Sequence, residues 1–174
     1  MPESDRDKLV RLAMEHQRAR QKEQKKQEDD LARRRREFEQ KSALTTERNE
    51  ELKKWCEDVF LGHTLCPKAG YTIQKVEIAS EVPALGIASD KYPNEPWIYL
   101  IVPCMVGGVE KQIPIFAVRY SIEGCYDAAR SMAVRSIHDY QVAKNEMIEM
   151  VASMDEEYVT RLAEWCARGY DMRR

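Results

Sequence analysis

The side chains best suited to chemistry in this chain are its five cysteines and three histidines. Cys56, His63 and Cys66 lie near one another in the sequence and could supply three ligands to a zinc ion. Six residues separate the first pair and two separate the second, whereas structural zinc sites use paired, tightly spaced cysteine knuckles. Cys56 also falls on the apolar side of a helical pattern, where a buried thiol is ordinary. We therefore predict no metal site and no cofactor.

A nucleophilic site is the second kind of chemistry that these residue types support. Cys104 with His63 or with His138 has the composition of a Cys–His pair. Cys104 lies within an aliphatic run, however, and a thiol in such a run usually belongs to the core. We predict no catalytic residue. Residues 80–96 are rich in proline and form a long loop, and such loops are often functional, so a small enzyme with a site there remains a third hypothesis.

The sharpest charge feature is the run Arg33, Arg34, Arg35 and Arg36. The whole chain has a formal net charge of −2, which argues against a generic nucleic-acid binder. Residues 11–36 nevertheless hold ten basic and five acidic side chains, a local excess of five positive charges. Two interpretations stay open for the arginine run: a solvated helix face among acidic neighbours, or contacts with phosphates or an acidic protein surface.

The elements that position these residues begin with an extended, charged helical arm over residues 1–45. Its interior contains neither glycine nor proline, which favours a long helix. A weak heptad pattern runs along it, and half of the seam is polar. The arm is therefore an intermittent coiled coil or a helix that needs a partner. Its partner-binding candidates are apolar residues near the tip and the root: Leu9, Val10, Leu12, Met14 and Phe38.

Residues 46–174 predict an α+β domain. The periodicity predicts the following elements: helix 47–61, strands 71–79, 97–105 and 110–119, and helices 126–152 and 154–168. Gly107-Gly108 lies between two of the strands and favours a two-residue hairpin turn. That turn pairs Val102 with Ile113 and, two residues further on, Leu100 with Ile115.

The expected fold is a three-stranded antiparallel sheet packed against helices and preceded by the arm. Both faces of this sheet are apolar, whereas one layer of helices covers only one face. The second face is covered by the C-terminal helix of the chain, by the arm or the loop, by another subunit, or by a partner. The residues predicted for this face, if it is exposed, are Trp97, Tyr99, Met105 and Phe116.

The predicted order of a helix, three strands and a helix over residues 47–140 resembles the topology of the double-stranded-RNA-binding domain. Residues 124–134 are similar in rhythm to the final helix of that family. The family carries basic residues at the start of this helix, where this chain has Asp127, and its histidine-containing loop is missing from residues 80–96. No family is therefore assigned.

Together these features favour a non-enzymatic structural or interaction protein of a larger assembly, such as a virion or a ribonucleoprotein. It would dock onto a protein partner or a second copy through the arm and the apolar sheet face. The alternative is a nucleic-acid binder, for RNA more than DNA, that uses the basic arm and the sheet aromatics. Scattered cysteines and an acidic N-terminus predict a reducing, intracellular compartment, and the apolar runs are too short to span a membrane.

Overall fold

The computed structural model describes residues 3–65, 68, 70–87, 95–130 and 133–168. The chain divides into two compact units, residues 1–41 and residues 42–174. The fold is α+β, with a long N-terminal helix, a five-stranded antiparallel sheet and two C-terminal helices packed against that sheet. The elements are α1 (Asp5–Phe60), β1 (Thr64–Leu65), β2 (Tyr71–Thr72), β3 (Lys75–Ala79), a 3-10 turn (Pro83–Leu85), β4 (Trp97–Val106), β5 (Val109–Tyr120), β6 (Tyr126–Arg130), β7 (Ala133–Ile137), α2 (Tyr140–Ala152) and α3 (Glu156–Ala167).

Helix α1 continues through the region where the sequence favoured a new helix start. The separate helix predicted over residues 47–61 therefore does not begin there. The hydroxyl of Thr46, the residue before it, donates to the Ser42 carbonyl at 3.1 Å, a hydrogen bond that threonine makes inside a helix. Ser4 provides the cap at the start of α1, since its hydroxyl oxygen accepts from the Asp7 backbone N–H at 3.2 Å.

The C-terminal part of α1 packs into the domain core. The ring centroid of Phe60 lies 6.5 Å from that of Phe116 on β5. The side chain of Asn49 bonds to the backbone of Tyr120 twice: its Nδ2 donates to the carbonyl at 2.9 Å, and its Oδ1 accepts from the N–H at 2.7 Å. A neighbouring strand would make the same pair of bonds. The buried residues of α1 are Thr45, Asn49, Leu52, Cys56 and Phe60.

The sheet has five strands in the order β3-β4-β5-β6-β7, so the prediction of three strands is wrong. The predicted strand 71–79 divides into β2, which pairs with β1, and β3, which pairs with β4. The backbone changes partner between two successive residues. The Ile73 N–H donates to the His63 carbonyl at 2.9 Å, and the Gln74 N–H donates to the Ile101 carbonyl at 3.0 Å.

The β4–β5 hairpin confirms the prediction made from Gly107-Gly108. Both glycines have positive φ, at 59° and 79°, as a type I′ turn requires. Strands β4 and β5 extend the predicted strands by one or two residues. Val102 pairs with Ile113, as predicted.

Further along this hairpin, a bulge shifts the register by one residue. Leu100 pairs with Phe116 rather than with Ile115, while Ile101 pairs with Pro114. Proline has no N–H to give to a ladder and is therefore found at bulges and edges. The extra residue places Phe116 on the same face as Leu100, because cross-strand partners share a face.

The predicted helix 126–152 is wrong over its first half, which contains β6 and β7, and α2 begins only at Tyr140. Ala129, Ala133 and Ile137 are spaced four residues apart, and alanine is the strongest helix former. The preceding turn decides the outcome. Gly124 has a φ of 78°, and the Ser121 N–H donates to the Cys125 carbonyl at 2.8 Å. This turn reverses the chain so that β6 pairs with β5. With five strands, the order no longer corresponds to the double-stranded-RNA-binding topology.

The two C-terminal helices begin at aspartate caps. The carboxylate of Asp139 accepts from the Val142 N–H, and that of Asp155 accepts from the Tyr158 N–H, both at 2.8 Å. Helix α3 agrees with the predicted helix 154–168 to within two residues. None of the helices in the described part of the chain is long and apolar enough to cross a membrane.

The two faces of the sheet follow from the strand pairing. The helix face carries Leu100, Phe116, Val118 and Ala128 and also Arg130 and Arg135, which contact α3 and α2. The opposite face carries Trp97, Ile101, Ala117, Arg119, Asp127 and Ala129. Of these, Trp97, Ile101, Ala117 and Ala129 have exposed fractions of 4% or less. The chain therefore buries the centre of both faces without another subunit.

Candidate functional site

The apolar side chains predicted for partner binding lie in the first compact unit and are exposed. Leu9, Val10, Leu12 and Met14, which we call the tip cluster, have exposed fractions between 38% and 68%, and Phe38 is 54% exposed. Within the described part of residues 1–41, no side chain is buried. The tip cluster is thus a set of neighbouring apolar side chains that is not buried by the described residues of its own unit.

The arginine run is also exposed along its length. Arg33 lies 3.2 Å from a carboxylate oxygen of Asp30 and 4.0 Å from one of Glu37. Arg34, Arg35 and Arg36 form no ion pair with the described residues. Four consecutive helix positions spread around the axis, so these side chains do not share one face.

The sheet aromatics are mostly buried, contrary to the expectation of an exposed face. Met105 is 64% exposed and Tyr99 is partly buried, but Trp97 and Phe116 are buried. The bulge turns Phe116 onto the helix face, and the Arg119 guanidinium lies 4.6 Å from the Trp97 ring centroid. Only Met105 and part of Tyr99 remain accessible among these four.

The cysteines and histidines do not form a site in the described part of the chain. No group of three metal-ligating side chains is found there, and Cys66 lies outside the described residues. Burial raises the pKa of the Cys56 thiol to about 12, which keeps it protonated and unreactive. Cys104 is buried and donates a long hydrogen bond to the Met105 carbonyl at 3.9 Å.

A cavity of about 500 Å³ lies on the helix face, where β6 and β7 meet α3. Ligand pockets are typically about 300–1,000 Å³, so its size suits a small molecule. The described residues that line it are Ala84, Arg130, Arg135, Tyr158, Arg161, Leu162 and Trp165. Three of these are arginines, and no described carboxylate lines the cavity.

The strands and α3 each contribute a part of this cavity for a simple geometric reason. Arg135 pairs with Ala128, and Arg130 is two residues further along β6, so both arginines lie on one face. Tyr158, Arg161 and Trp165 recur at helical spacing on α3 and therefore lie along one side of it. The hairpin brings the strand arginines together, and α3 supplies the aromatic side chains.

The hydrogen bonds of the three arginines differ. Arg130 Nη1 donates to the Ser153 hydroxyl at 2.7 Å, and its guanidinium stacks 4.6 Å from the Tyr158 ring centroid. Arg135 lies 3.3 Å from a Glu146 carboxylate oxygen, and Arg161 pairs with Glu157. No described carboxylate pairs with Arg130, whereas Arg135 and Arg161 each have one.

The sequence did not identify this cavity. In the predicted helix 126–152, Arg130 and Arg135 would lie on different sides, since five residues turn a helix by well over one full turn. Their convergence depends on the β6–β7 hairpin. The spacing of Tyr158, Arg161 and Trp165 places them on one side of a helix, but the sequence does not show that this side faces β6 and β7.

A second group of polar residues is buried on the opposite face. Arg119 Nε donates to Asp127 Oδ2 at 3.2 Å, and Arg119 Nη1 lies 3.8 Å from Glu95 Oε2. Ser136 donates to Asp127 Oδ1 at 2.7 Å. The Ile122 N–H donates to Glu95 Oε1. This ion network links β5, β6 and β7 to Glu95, two residues before β4, and its burial indicates a structural role.

Burial raises the pKa of Glu95, and this effect exceeds the lowering by the Ile122 N–H. Between the ordinary and the raised pKa, the folded state binds more protons than the unfolded state. The contribution of Glu95 to stability therefore grows as the pH falls through its folded pKa. We expect the free energy of unfolding of the wild type, relative to Glu95→Gln, to rise as the pH is lowered from about 8 to about 5.

Urea denaturation at several pH values measures this difference. Glu110→Gln is the matched control, because Glu110 is an exposed carboxylate on the neighbouring strand β5. Its difference from the wild type should stay flat over the same range. A flat profile for Glu95→Gln as well would contradict the raised pKa.

Comparison with protein-family models, with curated proteins and with solved structures gives no match for this chain.

Proposed function

We propose that this protein is a non-enzymatic interaction protein that docks onto a protein partner of a larger assembly through the tip cluster of α1. The observation that supports this most is the exposure of Leu9, Val10, Leu12 and Met14. A helix in a folded protein gains most of its stability by packing an apolar face. Leu9 and Leu12 share one side of the helix, and Val10 and Met14 share the adjacent side, so the four side chains form a broad apolar surface. In the described residues of its own unit, no side chain is buried against this surface.

The charges around the tip cluster support docking into a groove. Arg11 forms ion pairs with Glu3 and Glu15, each at 3.1 Å. Arg11 and Glu15 line one surface depression together with Val10 and Met14, so the charged side chains lie beside the apolar ones. An apolar stripe bordered by charges is the pattern of a helix that binds in a hydrophobic groove. A reducing, intracellular location belongs to this proposal, and the free, largely buried cysteines of the described residues are compatible with it.

The test replaces three tip residues in the full-length chain: Leu9→Gln, Val10→Gln and Met14→Gln together. Glutamine keeps the helix propensity close to that of the original residues. Each apolar side chain that is fully buried contributes about 1.5–3 kcal/mol. We therefore expect docking to weaken by at least about a hundredfold.

Native mass spectrometry of the protein isolated from its source, with light scattering of the purified chain, provides the measurement. The control changes three glutamines of the same helix, Gln17, Gln21 and Gln24, to alanine. The wild type and this control should be recovered in a complex with a partner or a second copy, and the tip variant as a free chain. Equal masses for all three proteins would contradict the proposal.

RNA binding is a second proposal, and it rests on Arg34, Arg35 and Arg36, which are exposed and form no ion pair with the described residues. Burial of Trp97 and Phe116 removes the base-stacking part of this hypothesis. Binding through these arginines alone would depend steeply on salt. The third hypothesis, an enzyme with a site near residues 80–96, gains no support from the described part of that loop.

A further inference from the structure

We propose that the arginine-lined cavity on the helix face is a binding site for a single phosphate group, either free or at the end of a small molecule. The cavity belongs to residues 42–174 and the tip cluster to residues 1–41, so neither proposal depends on the other. Three observations support this site: the cations that line the cavity, the contacts that hold one of them, and the charges of the adjoining surface.

The charge of the lining selects an anion. Arg130, Arg135 and Arg161 line the cavity, and none of its described lining residues is acidic. The carboxylate partners of Arg135 and Arg161, Glu146 and Glu157, do not line it. Both of these arginines are exposed, and ion pairs between exposed side chains contribute little free energy. Arg135 and Arg161 can therefore direct further N–H donors at a ligand in the cavity.

The number of donors favours a phosphate over a carboxylate. A guanidinium carries five N–H donors in a planar fork. Arg130 uses one of them on the Ser153 hydroxyl, and Arg135 and Arg161 each give one to a glutamate oxygen. The donors that remain on three side chains exceed what the two oxygens of a carboxylate accept. A phosphate monoester has three terminal oxygens and up to two negative charges, so it matches them better.

The contacts of Arg130 indicate a site that is organised before the ligand binds. Ser153 accepts a hydrogen bond from its Nη1 at 2.7 Å, and its guanidinium lies 4.6 Å from the Tyr158 ring centroid. These contacts hold the side chain without neutralising its charge. A cation that is already held loses little conformational freedom when an anion binds. Arg130 is therefore suited to hold the phosphate, with the two exposed arginines completing the site.

The rest of the lining indicates what can carry the phosphate. Arg130 covers the ring of Tyr158, and Trp165 has an interaction of its own, so neither ring is a free platform for a base. The other lining residues, Ala84 and Leu162, are apolar and buried. A cavity of about 500 Å³ has room for more than a phosphate ion. The lining thus fits a short aliphatic carrier rather than a nucleotide.

The adjoining surface favours a small molecule over a polymer. A second cavity of about 390 Å³ shares Arg130 and Arg135, and its lining includes Glu146 and Glu149. These two carboxylates make that surface unfavourable for a further phosphate. The charge pattern therefore fits one phosphate in the first cavity rather than a nucleic-acid backbone that continues past it.

Isothermal titration calorimetry on the full-length protein at low salt tests the proposal. The probes are inorganic phosphate and glycerol 3-phosphate, and acetate is the control anion. We expect both probes to bind at least about tenfold more tightly than acetate, because a phosphate adds an oxygen and a charge. The ratio of the two probe affinities distinguishes the free ion from a phosphate on a carrier. Acetate binding as tight as that of the probes, or no binding of either probe, would overturn the proposal.

Two cavity arginines, replaced singly as Arg135→Gln and Arg161→Gln, locate the binding. Each should weaken the binding of both probes by about tenfold, the effect of removing one charged hydrogen bond. Arg48→Gln is the matched control, because Arg48 is also an exposed helical arginine paired with a nearby glutamate, Glu51, and does not line the cavity. Equal affinity for all three variants would overturn the location.

A short single-stranded RNA and a phosphoserine peptide test the assignment to a small molecule. At the cavity, neither should bind more tightly than glycerol 3-phosphate, because Glu146 and Glu149 disfavour further anionic groups. Much tighter binding of either probe that is lost in Arg135→Gln and in Arg161→Gln would overturn the small-molecule class, in favour of a nucleic acid or a phosphorylated protein.

Discussion

Replacing Arg119 with methionine is expected to lower the free energy of unfolding by about 3–5 kcal/mol, the cost of leaving buried charges without their partner. The Arg119 side chain is 12% exposed, and those of Glu95 and Asp127 are 3% and 9% exposed. Methionine keeps an apolar chain of similar length but cannot make the cation–π contact of the guanidinium with the Trp97 ring. The two carboxylates would then face each other with reduced hydration. Urea denaturation monitored by circular dichroism measures the loss.

The comparison that isolates the charge effect is a triple variant: Arg119→Met with Glu95→Gln and Asp127→Asn. The amide side chains keep oxygen acceptors for the Ile122 N–H and the Ser136 hydroxyl but carry no charge. Most of the lost stability should return, because replacing a complete buried ion network is often close to neutral. Arg161→Met is the surface control and should change stability by no more than about 0.5 kcal/mol. A loss for Arg119→Met as small as that control would contradict a structural role for the network.

Asn49→Leu is expected to lower the free energy of unfolding by about 2–6 kcal/mol, since two backbone groups lose their partner and each costs about 1–3 kcal/mol. Leucine has nearly the same shape as asparagine. The Asn49 side chain makes both of its hydrogen bonds with Tyr120, and leucine can make neither. The packing of Leu52, Cys56 and Phe60 stays in place, so the domain should still fold.

Amide hydrogen exchange gives a residue-specific measurement of this effect. The Tyr120 N–H should exchange faster in Asn49→Leu, while amides at the centre of β4 keep their order of protection. Glu50→Leu is the control, because Glu50 is an exposed neighbour on the same helix. Unchanged protection of the Tyr120 amide in Asn49→Leu would show that the two hydrogen bonds do not stabilise the fold.

Local chemistry explains which parts of the fold were predictable. Gly107-Gly108 specifies its turn by backbone conformation alone, so the hairpin and the pairing of Val102 with Ile113 followed from the sequence. The bulge beyond it did not, although Pro114 was a signal for an irregular ladder. A proline indicates that a ladder is interrupted, but it does not show on which side the extra residue lies.

The β6–β7 hairpin was missed because its stability comes from pairing with β5. Five of its ten strand residues are alanine or arginine, which are strong helix formers, and their spacing fits both structures. Propensity is a weak signal that tertiary contacts override. Gly124 at the preceding turn was the available clue. Its turn leads to a strand only because β5 has an edge that is free to pair, and the sequence does not show that edge.

The candidate sites show the same difference between features set by one stretch of sequence and features that depend on tertiary contacts. The tip cluster was predicted because it lies within one stretch of helix. The cavity and the ion network were not, since their residues come from strands and helices that approach only after folding. Arg119 and Asp127 are eight residues apart and meet through the β5–β6 pairing, whereas Glu95 lies two residues before β4.

The hydrogen bonds between Asn49 and Tyr120 cannot form until late in synthesis, because their two residues are 71 positions apart in the chain. A ribosome adds roughly 5–20 residues per second, so Asn49 is made about 4–14 s before its partner. During that interval the side chains of Leu52, Cys56 and Phe60 have no sheet to cover. A chaperone that binds short apolar segments would meet this stretch of the nascent chain before any other part of the domain core.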